Sequence, residues 1–260
     1  MKKLTLNHLE IASITLSELE IVLTEMINQD KASLVLTYNM AFLKNAETNS
    51  YFRDISQNAD LILPDGSGII FLLKVKYGNR VNRITGTDVF NILLKAGNKL
   101  RLNIAFLGSD EEVLCRVKEK IKGSYPAINI VSSISPPFLF EKNKEQNKKV
   151  IEELIRAKPH ILIAALGNPR QEIWLAENME KIGAKINVGV GAVFDFYSGR
   201  KKRAPVFIQN VGMEWLWRLS LEPKRLFKRY FFANAFFLQT LTKLLFDKIF
   251  KKEIKTSLRG

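Results

Sequence analysis

Asp65 closes an aliphatic run, Leu61-Ile62-Leu63-Pro64, and is followed at once by Gly66-Ser67-Gly68. A carboxylate at the exit of a short apolar segment is a candidate general base, able to take a proton from a hydroxyl nucleophile. The glycines beside it let a ligand approach the backbone closely. A structural reading competes: Asp65 or Ser67 as a helix N-cap, its side-chain oxygen accepting a backbone N–H. Both readings stay open on the residue pattern. The same glycines, and Gly189-Val190-Gly191, invite comparison with a dinucleotide fingerprint. Phe71 and Phe194 stand where that turn needs a small residue, and no acidic residue closes a following strand. No P-loop pattern occurs either, which argues against a kinase or ATPase.

Other polar groups gather at comparable places. Arg80-Val81-Asn82-Arg83-Ile84-Thr85-Gly86-Thr87-Asp88 is a basic turn entering a helix, with Thr85 or Thr87 as cap. An arginine beside a helix N-terminus makes a diphosphate cradle, although solvated arginines are the ordinary alternative. In Gly167-Asn168-Pro169-Arg170-Gln171-Glu172 a proline near a helix start is unexceptional, and Gln171 is placed to hydrogen-bond a sugar. Asp195 is either a cap or a contact for a ribose hydroxyl. Metal ligation has little to draw on. There are two histidines, His8 and His160, a single Cys115 and no Asp-x-Asp triplet, so arginines and helix ends are expected to neutralise a leaving diphosphate. Neither a metal nor an organic cofactor is expected.

Elements that position these groups follow from periodicity. Nearly all-apolar runs at 32–37, 59–63, 103–108, 127–131, 161–166 and 185–190 alternate with helical patterns at 87–100, 110–122, 144–157 and 170–182. That alternation predicts an α/β fold: a Rossmann-like parallel sheet covered by helices on both faces. Turns are expected at Tyr77-Gly78-Asn79, Ser135-Pro136-Pro137 and Ser198-Gly199-Arg200. In such sheets ligands sit outside the carboxyl ends of the strands. Thr37-Tyr38-Asn39, the Asp65 segment and the Gly167–Glu172 segment all lie there.

Charge divides the chain into a body, residues 1–199, and a C-terminal appendage, residues 200–260. The appendage holds 15 Lys and Arg against 4 Asp and Glu, whereas the other 199 residues hold 25 against 22. A basic tail on a nearly neutral body points to an anionic surface. From Pro223 the tail reads as an amphipathic helix. On an arc of about 140° lie Leu226, Phe227, Tyr230, Phe231, Phe237, Leu238, Leu241, Leu244, Leu245 and Ile249, while Phe232, Phe236, Phe246 and Phe250 widen it. A basic helix with a broad aromatic face suits an anionic membrane leaflet. The alternatives are packing on the body or on a second copy, which would make a homo-oligomer. Nucleic acid is disfavoured because the aromatics form one stripe instead of interleaving with the basic residues. The N-terminus shows no secretory leader, no apolar run reaches the roughly 18 residues a membrane span needs, and the lone cysteine suits a reducing compartment. The expected location is the cytoplasmic face of a membrane. A non-catalytic membrane- or nucleic-acid-binding module on a nucleotide-binding fold is the competing class.

Six blocks in order, from Thr37-Tyr38-Asn39 through Ala59–Gly68, Arg83–Asp88, Leu166–Glu172 and Gly189–Asp195 to Gly212-Met213-Glu214-Trp215-Leu216-Trp217-Arg218 with Arg225 and Arg229-Tyr230, resemble the WecG/TagA/CpsF glycosyltransferases. The resemblance implies inverting, metal-independent transfer of a sugar, N-acetylmannosamine in the teichoic-acid branch. The implied donor is a UDP-sugar and the acceptor is N-acetylglucosaminyl-diphospho-undecaprenol. It implies Asp65 as catalytic base and Thr37, Asn39, Arg83 and Gln171 as the substrate pocket. Arg218, Arg225 and Arg229 are implied as appendage arginines over the diphosphate, with Lys228 competing for the last role.

Overall fold

The computed structural model describes residues 1–78 and 81–257, apart from the side chains of Asn210 and of residues 250–257. Asn79, Arg80 and the side chain of Phe250, all named above, lie outside that description. Among the described residues there are eight strands: β1 (Lys2–Leu6), β2 (Leu9–Ser13), β3 (Ser33–Tyr38), β4 (Leu61–Pro64), β5 (Asn103–Gly108), β6 (Asn129–Ile134), β7 (Ile161–Ala165) and β8 (Ile186–Gly189). The first helices are α1 (Leu16–Asn28), α2 (Met40–Thr48), α3 (Ser50–Gln57), α4 (Ser67–Tyr77), α5 (Gly86–Leu100) and α6 (Glu111–Ser124). They are followed by α7 (Lys144–Ala157), α8 (Arg170–Ile182), α9 (Val193–Ser198), α10 (Val206–Asn210), α11 (Glu214–Leu221) and α12 (Pro223–Ser257).

Strands β3 to β8 form one parallel sheet in the order β4-β3-β8-β7-β5-β6. All six strands and the four helices expected from periodicity are present, with ends shifted by a few residues. The pleat sends alternate side chains to opposite faces. Ile104 and Phe106 of β5 join the core beneath α1, α5, α6 and α9, while Ala105 and Leu107 join the core beneath α2, α3, α4, α7 and α8. Both faces are thus covered, which is why these strands carry no polar alternation. The antiparallel hairpin β1–β2 was not anticipated. Leu4, Leu6, Leu9 and Ile11 alternate inward and extend the second core.

β3 and β8 lie side by side, and the chain leaves them toward opposite faces, through α2 and α9 respectively. A crevice therefore opens between their carboxyl ends. The C-terminal segment closes it. Pro223 opens α12 as expected, and the helix packs along α2 and α4. Its apolar arc divides: Leu226 and Ala233 are buried, and Phe236, Phe237, Leu241 and Leu244 rest on the second core. Phe227, Phe231, Leu238, Leu245 and Ile249 remain exposed. The tail's stripe therefore packs on its own body along one side and faces outward along the other.

Candidate functional site

The loops after β3, β4 and β8 and the segment from α10 to α12 enclose a cavity of about 590 Å³. Asp65 stands on its floor. Its backbone N–H donates to the Tyr38 carbonyl at 2.8 Å, which fixes the end of β4 against β3. The N-cap of α4 is Gly66, with φ of 82° and no side-chain capping bond. Ser67 spends its hydroxyl on the Gly212 carbonyl at 2.8 Å. Neither Asp65 nor Ser67 caps the helix, so the Asp65 carboxylate is left to face the cavity. Gly66 is required twice over: its φ is left-handed, and a Cβ there would lie 3.2 Å from the Asn39 Cβ.

The Asp65 side chain is 24% exposed, and Arg83 Nε lies 3.7 Å from its Oδ1. Burial raises the Asp65 pKa, Arg83 opposes the rise, Glu214 adds to it, and the net displacement is upward from the ordinary carboxylate value. Arg83 donates through Nη2 to Glu214 at 2.5 Å and through Nη1 to the Gln209 carbonyl at 3.2 Å. Its Nε is buried with no hydrogen-bond partner among the described residues. Burial works against the guanidinium charge, but Asp65 and Glu214 outweigh it and leave the pKa raised.

Helix ends add positive potential. Gly66, Ser67 and Gly68 at the start of α4, and Gly86 and Thr87 at the start of α5, line the cavity. Backbone N–H groups at such ends suit an anion. Thr85 caps α5 in a reciprocal capping box with Asp88. Asn39 lines the cavity too, but its Oδ1 accepts from the N–H groups of Ala41 and Phe42 as the cap of α2. Arg203, Arg218 and Arg229 also line the cavity, with the Arg218 guanidinium 5.5 Å above the centre of the Phe196 ring. Among the described residues lining the cavity, four arginines face two carboxylates, Asp65 and Glu214. Among the described residues no group of three or more His, Cys, Asp or Glu gathers anywhere.

Some residues singled out from the sequence are placed elsewhere. Thr37 is buried within β3 and does not line the cavity. Gln171 is also buried. Its Oε1 accepts from the N–H groups of Gly167 at 3.1 Å and Gly191 at 3.2 Å, and its Nε2 donates to Glu172 at 2.5 Å. The amide that the sequence offers to a sugar instead ties the ends of β7 and β8 together. Glu172 is fully buried and also accepts from Asn168 at 3.0 Å, and burial pushes its pKa up to about 7.

Asp195 and Arg225 also lie outside the cavity wall. Lys201 pairs with Asp195 at 3.0 Å and with Glu222 at 3.1 Å, and Glu222 pairs in turn with Arg225. Arg225, implied by the resemblance to cover the diphosphate, has its guanidinium paired with Glu222 one turn before it. Lys228 does not line the cavity and Arg229 does, which separates those two candidates by position. Sequence reasoning missed Arg203 and Glu214. Arg203 sits in the run Lys201-Lys202-Arg203, legible only as bulk charge. Glu214 stands in a recognisable block, but nothing in its spacing links it to Arg83, 131 residues away.

The model of the glycosyl transferase WecG/TagA/CpsF family matches residues 4–251. The N-acetylglucosaminyldiphosphoundecaprenol N-acetyl-beta-D-mannosaminyltransferase of Bacillus spizizenii is 30% identical over 202 residues, spanning 78% of this chain and 76% of that protein. The protein of the same name from Bacillus subtilis strain 168 is 30% identical over 200 residues, 76% of this chain and 75% of its own length.

Proposed function

The chain belongs to the WecG/TagA/CpsF family of glycosyl transferases, and from that premise we propose that it moves N-acetylmannosamine from a UDP-linked donor to an N-acetylglucosaminyl-diphospho-undecaprenol acceptor with inversion at the anomeric carbon. The observation that carries this reading is Asp65. It is a carboxylate of raised pKa, free of capping duty, on the floor of a cavity rich in arginine. Asp65 takes the proton of the acceptor hydroxyl as that oxygen attacks the anomeric carbon. The bond to UDP breaks on the opposite side. Charge developing on the departing diphosphate is met by Arg83, Arg218, Arg229 and the amino ends of α4 and α5.

Membrane association accompanies the chemistry in this reading, because the acceptor is a lipid. Among the described residues no helix is long and apolar enough to cross a membrane. Val206, Phe207, Val211, Phe227 and Phe231 are exposed on the same basic segment, which suits peripheral docking on the inner, anionic face of a bacterial membrane.

The test is transfer from UDP-N-acetylmannosamine to a synthetic N-acetylglucosaminyl-diphospho-lipid, with and without EDTA. Asp65→Asn keeps shape and polarity but cannot accept the proton. Turnover should fall by about 10²-fold or more while UDP still binds, and the parent protein should keep its turnover in EDTA. Near-parental turnover in the variant removes Asp65 from the mechanism, and a strict need for a divalent ion removes the arginine account of the leaving group.

A further inference from the structure

We infer that Glu214 is a positioning residue that holds Arg83 at its working distance from Asp65. The inference rests on the reading of Asp65 as the base.

Glu214 is the first residue of α11, and its side chain is 15% exposed. One carboxylate serves two guanidinium groups: Oε2 accepts from Arg83 Nη2 at 2.5 Å, and Oε1 lies 3.6 Å from Arg203 Nε. Charges therefore alternate across the cavity, from Asp65 to Arg83 to Glu214 to Arg203. The same stretch of chain is fastened to the body at two further points, Arg83 to the Gln209 carbonyl and Ser67 to the Gly212 carbonyl. Gly212 has φ of 76°, and a Cβ there would come 2.6 Å from the Ser67 Cβ, so this seam admits no side chain.

Consider Arg83 without Glu214. Its remaining charged neighbours would be Asp65 and Asp88, of which Asp88 is already engaged in the cap of α5, and a guanidinium and the free carboxylate of Asp65 in a partly buried site close into a bidentate pair. Such a pair occupies the lone pairs that must accept the acceptor's proton. Held by Glu214, Arg83 instead stands 3.7 Å from Asp65, near enough to stabilise its charge and too far to consume it with a hydrogen bond. The buried Nε–H groups of Arg83 and Arg203, both without a hydrogen-bond partner among the described residues, are then left as donors for an anionic ligand. Asp65 is faced by Arg83, Glu214 and Arg218, and Arg203 and Arg229 line the same cavity.

The full-length protein with Glu214→Gln and Glu214→Asp tests this, beside Asp65→Asn. Calorimetry with UDP gives binding, and initial rates across pH give kcat. In Glu214→Gln, kcat should fall about tenfold or more because Arg83 loses its anchor. UDP should bind as tightly as before or more tightly, since a negative charge has left the cavity. The acid limb of the kcat profile should also move to lower pH by about half a unit or more, because Glu214 no longer raises the Asp65 pKa and Arg83 is freer to lower it. Glu214→Asp keeps the charge and should leave that limb in place.

Parental kcat in Glu214→Gln overturns the proposal. So does a fall in kcat with weakened UDP binding and an unmoved acid limb, which is the signature of a merely structural residue. If Asp65→Asn keeps its turnover, the base reading fails separately, and the role of Glu214 is then judged on the split between kcat and UDP binding alone.

Discussion

Replacing Gln171 by alanine separates two roles for a residue that sequence assigns to the substrate and the structure assigns to the scaffold. Three hydrogen bonds disappear, those from the N–H groups of Gly167 and Gly191 and that to Glu172. Both glycines are only partly buried, so water reaches their orphaned donors, and about 1 kcal/mol each is the appropriate cost. Removing the buried Cγ and amide leaves a small void worth about another 1 kcal/mol. With about 1 kcal/mol for the lost bond to Glu172 as well, the sum is about 4 kcal/mol, which for a chain of this size lowers Tm by about 8–16 °C. The KM for the UDP-sugar should change less than the melting temperature implies for a direct contact.

Gln171→Glu sharpens the test. It keeps an acceptor for both glycines but sets a second acid against Glu172. Glu172 has a folded pKa raised from 4.5 to about 7, so its ionised form is disfavoured in the native state. Its cost is absent below the unfolded pKa and grows as pH rises through about 7. The second acid should steepen that loss, so the variant should melt near the parent at about pH 5 and well below it at about pH 8. Differential scanning calorimetry across that range, with parallel steady-state kinetics, provides the readout. A Gln171→Ala protein that melts within about 2 °C of the parent while its KM rises steeply would refute the scaffold role and return Gln171 to the substrate.

Further outcomes follow from the arginines and the outer face. Arg218→Ala and Arg229→Ala should each lower turnover about tenfold or more, whereas Arg225→Ala, outside the cavity, should stay within about threefold; equal losses in all three would mean that the segment rearranges when substrate binds. Phe207→Glu with Phe231→Glu should release the protein from anionic phosphatidylglycerol vesicles in a sedimentation assay while UDP binding is unchanged. Continued sedimentation would show that docking does not use this face.

Much of the architecture is legible in the chain itself. Short aliphatic runs spaced by helical patterns can bury both faces only as a parallel sheet between helices, and the carboxyl ends of those strands then define where chemistry sits. Asp65 and Asn39 are found there by that rule. The hairpin β1–β2 escaped because its alternation, Leu4, Leu6, Leu9 and Ile11, spans only a few residues on each side of a turn.

Side-chain direction and long-range partners are a different matter. Gln171 and Arg225 occupy positions that the family resemblance marks as functional. The first is drawn inward by the glycine N–H groups of two strand ends, and the second outward by Glu222. The tail's single apolar stripe is shared between the body and the outer surface because α2 and α4 offer a matching apolar ridge. Glu214 and Arg203 meet Arg83 only when α11 folds back over the sheet. Local sequence determined which segments become strands and helices, since backbone periodicity and burial are set within a few residues. Tertiary structure alone decided which charged groups face one another, since a salt bridge depends on distance in space and carries no mark of its own in the spacing along the chain.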